Sequence, residues 1–349
     1  MPPRTFASLL LSLRGRIGLI AKATPVNVET ELLRLTLLAN RGEYQHPAFE
    51  YSDASNTDLT RKLAEIASAI SPNDAMLDQL RLRADELVCE SELAAAVGTP
   101  RFGELADARY ECEASAMNEA RALAAEWLEL SPNETGPTFR TDSAAPESLL
   151  SQLSAAVREQ SPYHRVVTRA GMSALAATGD ECVYVAKDRW LSAVSARRVV
   201  VHEVFGHVVP RVRAVTNRDE LGKLGTFQGE DTQEGYALLC EERSDVLRDN
   251  RKRELAERHL TCSWMSDGMT FPDIVRALVV EHGSLPECAV RAAIRAFRGS
   301  LGTTKGLGRE RVYLPYYLQV RAHLHARPQD ELRLTSGQRS IAALAELLE

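Results

Sequence analysis

The stretch Val199–Pro210, "VVVHEVFGHVVP", constrains this chain more than any other. His202 and His207 stand five positions apart in a run of valines. On a regular α-helix such residues diverge by about 140° around the axis. A single inserted residue, with local i→i+5 bonding, returns them to the same side. Gly206 is conformationally permissive, and Pro210 lacks an amide donor and would crowd the carbonyl of residue 206. The spacing therefore predicts an irregular helix between Val204 and Pro210 if the two imidazoles share a ligand. The alternative is two separately satisfied histidines in a regular buried helix.

Glu203 sharpens the choice. A structural metal site has no use for a free acid beside a ligand, whereas a hydrolytic one does. There the metal acidifies a water, and a carboxylate takes the proton and passes it to the leaving amine. Such a site needs a third protein ligand and an open fourth position. The segment "DTQEGYALLCEERSD", residues 231–245, offers Glu234 in the first turn of an expected helix capped by Asp231 or Thr232. Glu241 lies two turns further along the same face, where it can orient a ligating histidine through its other ring nitrogen. A solvated acidic helix face is the alternative, although Leu238 shares that face.

With "HEVFGH" and "TQEGYALLCE" in this order, the sequence resembles the tubulin tyrosine carboxypeptidases and their bacterial relatives, the QEGLA-motif proteins. "ATPVNVETE", "HPAFEY", "FRG" and "VYL" are similar to further family segments, so the likeness runs over most of the chain. It implies one Zn2+ held by His202, His207 and Glu234, with Glu203 as catalytic base. It also implies a zincin-like metallopeptidase acting as a carboxypeptidase on the C-terminus of a peptide or protein, releasing tyrosine or another large residue. Arg298, in "AFRGS", falls on the family's R-G element and is the candidate for binding the substrate carboxylate, because a guanidinium fork pairs with both oxygens. The glycine-rich stretch after it can bring backbone close to a peptide. Tyr313, in "RVYLPYY", is the candidate oxyanion donor. Two departures bear on substrate rather than on metal: Phe205-Gly206 stands where the family has Gly-Thr, and Tyr236 replaces its leucine. The H-E-x-x-G-H form is also that of dipeptidyl peptidase III, so dipeptidyl peptidase or aminopeptidase action competes, as does a non-catalytic metal-binding regulator.

The rest of the chain reads as α+β with helices dominant. Three N-terminal stretches, 57–70, 74–97 and 104–130, carry apolar residues at three- and four-residue steps. "HRVVTR", "SALAAT" and "ECVYVAK", between residues 164 and 187, read as a small sheet just before the histidine helix. After Asp188 the chain reads as helical through His207. The loop "SPNETGPTFRTDSAAPES", residues 131–148, marks a boundary between a helical N-terminal region, 1–145, and a catalytic domain, 146–349.

A net charge of -6 and a pI near 5.9 argue against a nucleic-acid partner. Six scattered cysteines without a C-x-x-C pair suit reduced thiols and a cytoplasmic protein. No apolar run reaches the length of a membrane span. The N-terminal segment is basic, with Phe6, Leu9, Leu10, Leu13, Ile17 and Ile20 at helical spacing. It reads as an amphipathic helix packed on the domain in preference to a transit peptide. Oligomeric state leaves no trace in the sequence.

Overall fold

The structure, a computed structural model, describes residues 2–52, 57–131, 136–172 and 174–347. Seven helices come first: α1 (Pro3–Arg14), α2 (Leu19–Ala23), α3 (Val28–Ala39), α4 (Thr57–Ala69), α5 (Ala75–Ala95), α6 (Arg101–Arg109) and α7 (Ala114–Leu128). Phe6, Ala7 and Leu10 of α1 are buried in one cluster with residues of α4 and α5, so this face of the N-terminal amphipathic helix is core, while Leu9 stays exposed. The expected helix over 104–130 is broken at residues 110–113, where the chain turns with Tyr110 and Arg109 both buried.

A short strand β1 (Thr138–Arg140) lies inside the stretch read as loop; positions 132–135 of that stretch are outside the described residues. After α8 (Leu149–Gln160) come β2 (Arg165–Arg169), β3 (Ala176–Thr178), β4 (Cys182–Ala186) and β5 (Trp190–Ser192). Residue 173, in the run read as the second strand, is likewise outside the described residues. β4 is central: β2 pairs with it in parallel, and β3 pairs with its other edge antiparallel. β5 pairs with β1. These two were invisible in the sequence because each is a three-residue bridge fixed by its distant partner.

Ser192 ends β5 and caps α9 (Ala193–Val201), its hydroxyl accepting from the amide of Ser195. The helix then changes winding. His202–Val208 is a π-helix of seven residues, closed by the amide of Val209 donating to the carbonyl of Val204. That i→i+5 bond lies where the histidine spacing required it. The chain continues as α10 (Val209–Thr216), α11 (Glu220–Leu224), α12 (Gly229–Arg243), α13 (Asp249–Ser266), α14 (Phe271–Arg276), α15 (Pro286–Phe297) and, after a 3₁₀ turn at Arg309–Val312, α16 (Tyr313–Ala326).

Packing explains why this arrangement holds. Val183 and Val185 of β4, Leu153 and Val157 of α8, and Val199, Val204 and Val208 of the histidine helix form one apolar cluster. The alternate valines of a strand thus meet one face of the distorted helix. On its other side that helix crosses α12 at Gly206, where a Cβ would overlap the Ala237 side chain and sit 2.9 Å from its Cα. α12 in turn crosses α16 at Gly235, where a Cβ would meet the amide of Tyr317 at 2.6 Å. Two glycines, one from each motif, therefore allow three helices to stack at backbone contact. Among the described residues no helix is long and apolar enough to cross a membrane.

Candidate metal centre

The π-helix and α12 bring His202, His207 and Glu234 together, with one ligand-capable atom of each within 4.8 Å of the others. His202 Nε2 is 3.4 Å from His207 Nε2 and 3.4 Å from Glu234 Oε2; His207 Nε2 to Glu234 Oε2 is 3.7 Å. Ligands about 2.0–2.1 Å from a tetrahedral ion stand about 3.3–3.4 Å apart, so the spacing fits such an ion. Glu234 Oε2 is buried without a hydrogen-bond partner, a costly arrangement that an ion between the three groups would remove.

The outward-facing ring nitrogens are also held. His202 Nδ1 lies 2.8 Å from Glu241 Oε1, and His207 Nδ1 lies 2.9 Å from Gln233 Oε1. Each acceptor favours a proton on Nδ1 and leaves the Nε2 lone pair for a metal. Glu241 is fully buried and is paired with Arg251 Nε at 3.2 Å. Burial opposes the charge of Glu241, but Arg251, Arg198 and the His202 bond outweigh it and hold the carboxyl down at about 2. Burial likewise works against Glu234, yet the adjacent His202 and the charges of His207 and Arg309 keep it well below the usual carboxylate range. Against the same desolvation, Glu234 and Glu241 raise His202 to about 9, whereas burial lowers His207 despite its neighbouring carboxylates.

α12 begins at Gly229, so Glu234 stands in its second turn, not its first. Neither expected residue caps it. Thr232 donates to the carbonyl of Gln228, and Asp231 accepts from Arg109 at 2.8 Å. The helix starts early because Gln228 adopts a left-handed φ of 55° and Gly229 lies tight against the Gln338 backbone. Asp231 and Glu230 are the inner end of a largely buried ionic cluster with Arg83, Glu86, Glu90 and Arg109. That cluster ties α5 and α6 to the start of the ligand-bearing helix. Removing one member would leave a buried charge uncompensated.

Glu203 sits beside the ligands, 7% exposed, with Oε2 accepting from Thr178 Oγ1 of β3 at 2.7 Å. Arg309 Nη2 donates to the other oxygen of Glu234 at 3.0 Å. Tyr313, at the start of α16, feels the charges of Glu234 and Arg309; burial pushes its hydroxyl well above the usual phenol range, so it remains a donor. Sequence reasoning missed Thr178, Gln233 and Arg309. Gln233 had a signal, as the neighbour of Glu234 in the same motif. The other two had none.

Arg298 is placed elsewhere. It ends α15 with its guanidinium 3.6 Å from Glu310, while Gly299 packs its backbone on the Phe102 ring and Tyr51 bonds both sides of that turn. The glycine-rich stretch therefore admits the chain's own aromatic residues and Pro47, not a peptide. The same contacts account for "HPAFEY" and "FRG", which meet here. Tyr236, the substituted position in the second motif, donates to Glu331 at 2.9 Å.

Fold and site together define a helix-dominated α+β protein with a buried His-His-Glu group able to hold a metal ion. The chain belongs to the microtubule-associated tyrosine carboxypeptidase family, whose model matches residues 38–346. It is thus a peptidase of carboxypeptidase type with a peptide or protein as substrate. Comparison with curated proteins gave no match.

Proposed function

We propose that the protein is a zinc-dependent metallocarboxypeptidase that hydrolyses the C-terminal peptide bond of a peptide or protein. The observation that carries this reading is Glu203, held by Thr178 next to three side chains spaced for a tetrahedral ion. His202, His207 and Glu234 would hold the zinc. When bound, zinc would supply Lewis acidity toward the scissile carbonyl and toward a water.

The chain's own groups supply the remainder. Thr178 fixes Glu203 through Oε2, leaving Oε1 to take a proton from the attacking water and return it to the departing amine nitrogen. Tyr313, kept protonated by burial, donates toward the oxygen that becomes negative. Gln233 and Glu241 keep the two imidazoles in one orientation through the cycle. Residues 146–349 form a zincin-like catalytic part on which residues 1–145 pack; the joint core of α1, α4, α5 and α6 with Leu307, Val312 and Tyr316 supports that division of labour. The family's name points to a C-terminal tyrosine as the released residue and to an enzyme that associates with microtubules.

The test is Glu203→Gln, which keeps the shape and cannot accept the proton. Release of amino acids from mixed peptides should fall at least about 100-fold. Zinc should stay bound. Parent-like activity in this variant would end the metallopeptidase reading.

A further inference from the structure

Each of the three candidate ligands is backed by an arginine, but not in the same way. Arg251 reaches His202 through Glu241, with Nε 3.2 Å from Glu241 Oε2. Arg211 reaches His207 through Gln233, with Nη1 3.2 Å from Gln233 Oε1. Arg309 has no group between: its Nη2 donates directly to Glu234 Oε1 at 3.0 Å. The chemistry of the ligands makes this difference matter. An imidazole turns one nitrogen inward and the other outward, so its outer partner has only to orient it. A carboxylate has two equivalent oxygens, and both can bind one ion.

The 3₁₀ turn Arg309–Val312 fixes the direction of Arg309. With three residues per turn, successive side chains leave it about 120° apart. Glu310 enters a buried ionic group, with Arg295 at 3.1 Å, Arg258 at 3.6 Å and Arg298 at 3.6 Å. Arg311 bonds Asp107 at 2.9 Å and turns back to the carbonyl of Gly308 at 3.1 Å. These two anchors set the turn, and Arg309 is left facing α12. Among the described residues, Arg309 and Glu234 Oε1 are each other's single hydrogen-bond partner. Glu234 Oε2 instead faces the Nε2 atoms of both histidines and has no hydrogen bond. The carboxylate is thus divided, one oxygen toward the histidines and one held by a cation.

We propose that Arg309 is a positioning residue that holds Glu234 to ligation through Oε2 alone and so keeps the fourth position of the centre open. The proposal rests on the metal-centre reading above. A hydrolytic centre has three protein ligands and leaves its fourth position for water or substrate. Without the Arg309 bond, Oε1 is free to swing toward the ion and occupy that position. The bond is suited to prevent this. A hydrogen bond between two ionised groups is about twice as strong as a neutral one, and this pair is largely shielded from water. Arginine neither accepts a hydrogen bond nor loses its proton, so Oε1 stays engaged wherever Glu234 is ionised.

The experiment uses the full chain, stripped with a chelator and reloaded with cobalt(II), whose visible absorption is strong when four-coordinate and weak when five- or six-coordinate. The parent should show the strong band. Arg309→Met should keep its cobalt and lose much of the band's intensity, and zinc-loaded Arg309→Met should release amino acids from peptides about 10–100-fold more slowly. Arg309→Lys, which keeps a charged donor, should retain most of the band. Arg311→Met disturbs the same turn through Asp107 without touching Glu234, so it should melt at a lower temperature with the band unchanged. A full-strength band in Arg309→Met would overturn the proposal, and a raised KM beside it would make Arg309 a substrate contact instead. Loss of cobalt from Arg309→Met would overturn it too, since Arg309 would then be holding the ligand in place and not limiting how it binds. A weak band in the parent would overturn the proposal and spare the metallopeptidase reading. A parent that takes up no cobalt would overturn both.

Discussion

Gly206→Ala tests whether the metal centre depends on the closest approach of two helices. The added methyl would overlap the Ala237 Cβ and lie 2.9 Å from the Ala237 Cα. Carbon atoms settle at about 3.5–4.0 Å, so the π-helix and α12 must part by roughly 1 Å. Ala237 follows Glu234 by three residues on α12 and shares its face, so the carboxylate moves with the helix. The 3.4 and 3.7 Å gaps from Glu234 Oε2 to the two histidines would widen by a similar amount. Metal sites tolerate displacements of about 0.2 Å. Zinc affinity should therefore fall by about 100-fold or more, the upper end of what even an outer partner's loss costs. Overpacking destabilises by about 1–3 kcal/mol, partly offset by the better helix propensity of alanine. The variant should fold, with a lowered melting temperature. Chelator competition and thermal melts measure both effects. Gly206→Ala/Ala237→Gly removes the methyl–methyl overlap and should recover part of the affinity. Gly15→Ala, where nothing lies within 4 Å and φ is -60°, should change neither quantity. Parent-like zinc binding and melting in Gly206→Ala would refute the reasoning, and Gly206 would then matter only for the winding of the π turn.

Alanine at His202, His207 or Glu234 should strip the zinc, read by metal analysis of purified protein; full occupancy in Glu234→Ala would remove it as third ligand and move the test to Glu241 or Glu242. His259 of α13 is 1% exposed with neither ring nitrogen bonded, and burial, reinforced by Arg121, lowers it to about 4. Because the unfolded chain binds this proton near pH 6.5, its neutral form stabilises the fold fully above that pH. That contribution, about 3 kcal/mol, is lost as pH falls from 6.5 to 4. Urea unfolding of parent and His259→Leu across that range should show a flatter pH dependence in the variant; parallel curves would contradict the assignment.

Local physics made part of this legible in the sequence. Two histidines five positions apart, with Pro210 closing the segment, leave a helix few ways to put both rings on one side. The π winding follows from spacing and sterics within a dozen residues. Short β-branched runs between turn residues marked β2 and β4 for the same reason, and helical phase set Glu241 two turns from Glu234. What lies beyond is set by neighbours far away in the chain. Gly206 read as a point of flexibility, yet its absent side chain is demanded by Ala237, and Gly235 by α16. Thr178 and Arg309 meet the centre from β3 and a 3₁₀ turn; nothing in their local sequence distinguishes them from other polar residues. Arg298 shows the converse, a motif arginine whose surroundings turn it to Glu310. Helix winding depends on backbone sterics over a few residues, so sequence alone determines it. Which side chain meets which across a helix crossing depends on where two backbones come closest, and only the packed tertiary structure decides that.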